Sequence, residues 1–90
     1  MLIIKTTNKF EKDYKRIIKS GQKDIQKLQN IIRKLENQEK LDPINKNHKL
    51  TGNWKDHLEC HIEPDWLLIY KTDNQYLILV RTGSHSELFK

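Results

Sequence analysis

The chain has little of what stabilises secreted or membrane proteins. A single cysteine, Cys60, in 90 residues excludes an internal disulfide and fits a reducing compartment. No apolar run approaches the roughly 18 residues of a membrane span. The apolar start Met1-Leu2-Ile3-Ile4 reaches Lys5 too soon for a signal peptide. These absences predict a cytoplasmic protein with no membrane partner. Only 36% of residues are apolar, so a core of this size must use nearly all of them. There are no repeats and no low-complexity linker. The expectation is one domain over residues 1–90.

Glycine and proline are also scarce, three and two, and each marks a boundary. Leu2-Ile3-Ile4 suits a short first strand. Thr6, Thr7 and Asn8 offer helix N-caps, and Asn8 followed by Glu11 resembles a capping box. Phe10, Tyr14, Ile17 and Ile18 then recur at helical spacing up to Ser20-Gly21. A second amphipathic helix carries Ile25, Leu28, Ile31, Ile32 and Leu35, and Leu41-Asp42-Pro43 closes it. So short a connection makes the two helices an antiparallel pair.

After a polar loop over residues 43–53 the period changes. His57, Glu59 and His61 alternate with Leu58, Cys60 and Ile62, the mark of a half-buried strand. Trp66 to Tyr70 and Tyr76 to Arg81 form two more, separated by the turn Thr72-Asp73-Asn74-Gln75. Gly83-Ser84 ends the last strand before a short tail. The order is β-α-α-β-β-β. It predicts an α+β domain whose two N-terminal helices pack on one face of a mainly antiparallel sheet. The other face is left for chemistry.

Charge is abundant and uneven. Residues 1–56 hold 14 of the 17 Lys/Arg against 7 of the 12 Asp/Glu, a balance of +7; residues 57–90 hold 3 against 5, a balance of −2. A basic N-terminal half is either a solvated surface or a face that meets a polyanion.

The histidines fall mostly in the other half. His57 and His61 share the polar face of one strand, but four residues of strand set them about 13 Å apart. One zinc ion cannot take both, so we assign no metal ligands. Pro64 suits a tight turn that brings His61 and Asp65 to one end of the sheet. His48 precedes this hairpin, and His85 follows the last strand. If His48, His61, Asp65, Arg81 and His85 converge, the set suits cleavage of RNA. The 2′-hydroxyl must lose a proton, the 5′-oxygen must gain one, and a guanidinium can stabilise the phosphorane-like transition state. Histidine moves protons well near neutral pH, and no cofactor is needed. Trp66 and Phe89 offer stacking surfaces for bases. The bland alternatives are a solvated His57, Asp65 as a turn residue, and Trp66 and Cys60 as core.

The runs His48-Lys49-Leu50-Thr51-Gly52-Asn53-Trp54-Lys55, Glu59-Cys60-His61-Ile62-Glu63-Pro64-Asp65-Trp66-Leu67-Leu68-Ile69-Tyr70 and Arg81-Thr82-Gly83-Ser84-His85-Ser86-Glu87-Leu88-Phe89 together resemble the YafQ-type toxins of the RelE/ParE superfamily. The resemblance implies a RelE-like fold and an mRNA interferase that cuts mRNA in the ribosomal A site. It implies a cognate antitoxin that holds the toxin inactive, and operator DNA contacted only through that complex. The family's functional positions fall on His48, His61, Asp65, Trp66, His85 and Phe89, with Arg81 matching its basic strand-end residue. We take His85 as the general acid, with base and positioning work shared among His48, His61 and Asp65. The basic helices would then dock on rRNA of the 70S ribosome, or on an acidic antitoxin. Leu58 and Asn47 depart from the arginine and aspartate common in related chains. The competing readings are a non-catalytic ParE-like toxin and an RNA- or partner-binding module of the same fold.

Overall fold

The computed structural model describes residues 1–89. Each element forms where local chemistry and burial agree. Strand β1 (Ile3–Thr6) leads into helix α1 (Asn8–Ser20). The N-cap of α1 is Thr7, whose hydroxyl accepts from the Phe10 N–H and donates to the Val80 carbonyl. One residue thus starts the helix and ties it to the sheet, and the Asn8–Glu11 box is not the cap. Gly21 ends α1 in the left-handed conformation, at φ 64°.

Helix α2 spans Ile25–Glu36 and is capped by the Asp24 carboxylate. It stops five residues before Leu41-Asp42-Pro43, with Gln38 taking a positive φ just beyond it. The stretch expected as a plain loop contains two single turns of 3-10 helix, Pro43–Asn45 and Gly52–Trp54, and a two-residue strand β2 (His48–Lys49). Then come β3 (Leu58–Glu63), β4 (Trp66–Thr72) and β5 (Tyr76–Gly83). The residues read as a tail form one further turn of helix, α3 (His85–Leu88).

The sheet order is β1-β5-β4-β3-β2. Strands β2 to β5 are antiparallel neighbours, and β1 closes the far edge parallel to β5. The expected α+β architecture holds, with a five-stranded mixed sheet under the two long helices. Leu28, Ile31 and Leu35 from α2, with Phe10 and Ile17 from α1, pack on Cys60, Ile62, Trp66, Leu68, Tyr70, Leu77 and Leu79. The opposite face is not bare. Leu67, Ile69 and Leu88 form a second, smaller core there, flanked by Leu50, Trp54 and Val80.

Two bulges interrupt the ladders. On β3 the register shifts between His61 and Glu63, so Ile62 is an extra residue. On β5, Arg81 pairs with Ile69 while Leu79 pairs with Tyr70, so Val80 is extra. This second bulge lets Leu79 and Thr82, three positions apart, both face the helices. Bulges re-aim side chains, and both of these lie at the end of the sheet where the histidines gather.

Candidate active site

Strand alternation decides which side chains share the smaller core's face. His61 pairs with Leu67 and Glu59 with Ile69, both members of that core. His48 on β2 pairs with Glu59. His48, Glu59 and His61 therefore stand together beside apolar Leu67 and Ile69. The short strand β2 is what delivers His48 here.

α3 supplies the next ring. Ser84 caps it and accepts from the Glu87 N–H, while the Glu87 carboxylate accepts from the Ser84 N–H, a full capping box. The His85 N–H donates to Asp65 Oδ1 at 2.9 Å, and His85 Nδ1 lies 2.6 Å from the same oxygen. Ring centroids of His61 and His85 are 5.6 Å apart, and those of His48 and His61 6.3 Å. The three histidines form a row with Asp65 at one end.

Hydrogen bonds fix which nitrogen of each ring is available. The His85 N–H and then its ring hold the Asp65 carboxyl below its ordinary value, so it is ionised at neutral pH. An ionised carboxylate only accepts, so His85 Nδ1 carries a proton and Nε2 faces outward for chemistry. His48 Nδ1 is 2.6 Å from the Lys46 carbonyl and His61 Nδ1 is 3.2 Å from the Pro64 carbonyl. Carbonyl oxygens accept only, so these rings too present Nε2.

Arg81 is placed differently from the sequence expectation. Its Nε and Nη2 bind the carboxylate of Asp13 at 2.7 and 3.0 Å. Asp13, with a side chain only 3% exposed, also accepts from the Thr82 N–H and from Arg16. Burial alone would raise its pKa, but the hydrogen bonds from Arg81, Thr82 and Arg16 together hold it below the ordinary value. Arg16 in turn reaches Glu87 at 3.2 Å. The guanidinium expected to face a phosphate is thus one end of a chain of ion pairs running to α3. Gly83 leaves room for that chain. A Cβ there would come within 2.9 Å of Glu87 Oε1 and 3.3 Å of Arg16 Nη2.

Trp66 is corrected from a stacking platform to core. It is 0% exposed, and its indole N–H donates to Thr82 Oγ1 at 3.0 Å. As the first residue of β4 it turns to the helix face, opposite the histidines. Phe89 is 40% exposed and meets the Trp54 ring edge-on at 6.0 Å. Trp54 is the aromatic neighbour that the sequence reading did not single out. His57 packs against Trp54 outside the row of rings. Burial, and then the charge of Glu59, push the Cys60 thiol up to about 12, which makes it inert as a nucleophile. Asn47 accepts from the Tyr70 hydroxyl at 2.6 Å, so its side chain serves the sheet and not His48. Leu58 packs against the main core.

Beside His61 an open groove of about 430 Å³ runs past Ile44, Asn45, Lys46 and Pro64. Its rim includes the Lys27–Glu63 ion pair at 2.9 Å, which gives Glu63 a partner. Among the described residues no cluster of three or more His, Cys, Asp or Glu side chains has the geometry of a metal site. No helix among them is long and apolar enough to cross a membrane.

Comparison with known proteins supports the fold. Residues 2–90 match the family described as "Bacterial toxin of type II toxin-antitoxin system, YafQ". The chain is 38% identical over 87 residues to the mRNA interferase toxin YafQ of Escherichia coli K12, covering 96% of this chain and 94% of that protein. A metal-bound toxin from Helicobacter pylori is 46% identical, with a TM-score of 0.91 over 99% of this chain and 100% of that one. The structure of the E. coli DinJ-YafQ complex includes a chain 36% identical, with a TM-score of 0.88 over all of both chains.

Proposed function

The chain belongs to the YafQ family of type II toxin–antitoxin toxins, and from that premise we propose that it is an mRNA interferase that cuts mRNA in the A site of the ribosome. The observation that carries the reading is the row His48–His61–His85, closed by the 2.6 Å contact of His85 with ionised Asp65. A neutral imidazole in this row, His48 or His61, takes the 2′-hydroxyl proton through Nε2 as that oxygen attacks the adjacent phosphate. His85, carrying protons on both nitrogens, gives its Nε2 proton to the departing 5′-oxygen. Asp65 keeps the His85 ring in register and stabilises its cationic form. The products are a cyclic phosphate and a 5′-hydroxyl end. Proton transfer needs no transition metal in this scheme. Phe89, with Trp54 behind it, offers an exposed ring for a base.

Ribosome dependence is supported by the shape of the site and by the helices. His48 and His85 are half-exposed and not enclosed, which suits an RNA strand presented by another body. Lys9, Lys12, Lys15 and Lys19 of α1 and Lys27 and Arg33 of α2 are exposed, an array suited to rRNA phosphates and to an acidic antitoxin. The DinJ-YafQ complex supports the antitoxin as partner, and operator DNA is met through that complex.

A translating extract tests the proposal. The wild-type chain should yield mRNA fragments with 5′-hydroxyl ends, and His85→Ala should bind ribosomes but leave mRNA whole. A transition-metal chelator added without depleting Mg²⁺ should leave cleavage unchanged. Growth arrest with intact mRNA and blocked DNA supercoiling would instead identify a ParE-like mode.

A further inference from the structure

Beyond the row of rings, the same face of the sheet turns cationic. On β4, Leu67, Ile69 and Lys71 alternate onto this face. The pairs Glu59–Ile69 and Leu58–Tyr70 set His57, one step further, opposite Lys71. The Leu50 N–H donates to the His57 carbonyl at 2.9 Å, so the chain after β2 stays alongside. An open groove of about 540 Å³ lies here, lined by Lys49, Lys55, His57 and Lys71. Asp56 is the single carboxylate among its described lining residues.

The lysines of this groove have no assigned work. Residues 57–90 hold only three Lys/Arg, and one of these, Arg81, is already bound to Asp13. Lys71 is half-buried on an otherwise apolar line of β4, its stem on the sheet and its ammonium group in water. Lys27 and Lys34 pair with Glu63 and Asp42. Among the described residues, Lys49, Lys55 and Lys71 take part in no ion pair. Three such charges around one groove raise a positive potential suited to an anionic ligand.

Aromatic rings join the groove to the row. Phe89 meets Trp54 edge-on at 6.0 Å, and Trp54 meets His57 edge-on at 5.2 Å. The line from α3 thus runs Phe89, Trp54, His57 and then Lys71. Rings interleaved with cations hold single-stranded nucleic acid with little regard to sequence: bases stack on the rings, and ammonium groups follow the phosphates. Four residues of strand separate His57 from His61, about 13 Å, so a strand cut at the row reaches the groove within a few nucleotides. An acidic peptide would meet the same lysines but would make no use of the rings or of their continuity with the row.

We propose that this groove is a second RNA subsite, where Lys49, Lys55 and Lys71 hold backbone phosphates of the mRNA strand that leaves the row of histidines. Trp54 and His57 carry a base between the two places. The subsite binds the strand and moves no proton. It rests on the reading of the row as the place where mRNA is cut.

Binding of uncut RNA to the whole chain tests it. The probes are 2′-O-methyl oligonucleotides of mixed sequence, which lack the attacking hydroxyl. One of about three nucleotides fills only the row, and one of about eight reaches the groove. The longer probe should shift the NMR amide signals of Lys55, His57 and Lys71 and the Trp54 indole signal; the shorter should leave Lys55 and Lys71 unmoved. Changing all three lysines, Lys49→Ala, Lys55→Ala and Lys71→Ala, should weaken the longer probe on the order of 10-fold and spare the shorter. The slope of log affinity against log salt should flatten by about 0.7 per lysine, which a merely structural loss does not produce. Lys→Arg at the same positions should retain both affinity and slope. In a translating extract the triple alanine variant should raise KM by a similar factor and keep kcat.

Unchanged affinity and salt slope for the longer probe in the triple alanine variant, or signal shifts confined to the row, would overturn the proposal. So would a variant that binds the longer probe normally but loses affinity for ribosomes free of mRNA, which would give the groove to rRNA, or for an acidic antitoxin. Groove-dependent binding in a chain that leaves mRNA whole would uphold the subsite and remove the nuclease reading.

Discussion

The two faces of the sheet use the same strands to opposite ends. Under the helices, Leu28, Leu68 and Leu77 are fully buried in a core that also takes Trp66 and Tyr70. On the other face three buried residues, Leu67, Ile69 and Leu88, make a small floor, and His61, Glu59 and His48 stand on it or beside it. The difference teaches that burial and chemistry are separated by one step of strand alternation. Cys60 and His61 are neighbours in sequence, yet one is inert core and the other a candidate base. Asp65 and Trp66 divide in the same way.

The largest test of this separation is His85→Ala. Cleavage should fall by ~10²–10⁴-fold, while the melting temperature stays close to wild type, because the ring is exposed. A large loss of stability in this variant would break the comparison. On the opposite face, Trp66→Ala should destabilise by about 3–5 kcal/mol in denaturant melts. Trp66→Phe should lose about 1 kcal/mol with its hydrogen bond to Thr82 and still cleave normally. A stable Trp66→Phe protein that fails to bind RNA would return that indole to the site.

Asp13 joins the two faces, and Asp13→Asn should cost about 1–3 kcal/mol. Its folded-state pKa lies below the ordinary 3.8. Its charge therefore contributes stability in full above that value, and the contribution is lost as pH falls through the lower folded value. Urea melts from about pH 5 to about pH 3 should fall less steeply for Asp13→Asn than for wild type. Phe89→Ala should show the smallest change, about 1 kcal/mol in RNA binding read as KM, with kcat retained.

The alternating and helical periods made most of the fold legible in advance, and strand alternation correctly set His61 apart from Cys60. What escaped was set by short-range or tertiary contacts. The two residues of β2 are too few to show a period, so His48 looked like part of a loop. α3 is a single turn, but its Ser84-His85-Ser86-Glu87 capping box was present in the sequence. Asp13 sat inside the apolar stripe of α1, a signal that it had a buried partner. That partner, Arg81, lies 68 positions away, beyond any local pattern. Glu59 shared a strand face with His61, and the same alternation that singled out the histidines would have singled it out too. The sequence does not show which face Trp66 takes, because Trp66 to Tyr70 is apolar throughout and buried on both faces, so alternation along β4 leaves no polar–apolar period.

The parallel pairing of β1 with β5 has a consequence for when the protein acquires its activity. Thr7 bonds Val80 across 73 positions, and Asp13 waits for Thr82 in the same way. During synthesis β1 and α1 emerge first and have no sheet to join until β5 leaves the exit tunnel. His85 follows β5, so the row of rings assembles later still. A chain that has not yet released β5 therefore has neither a closed sheet nor an assembled row of rings. Long-range closure of the sheet thus sets the earliest point in folding at which the row of rings can form.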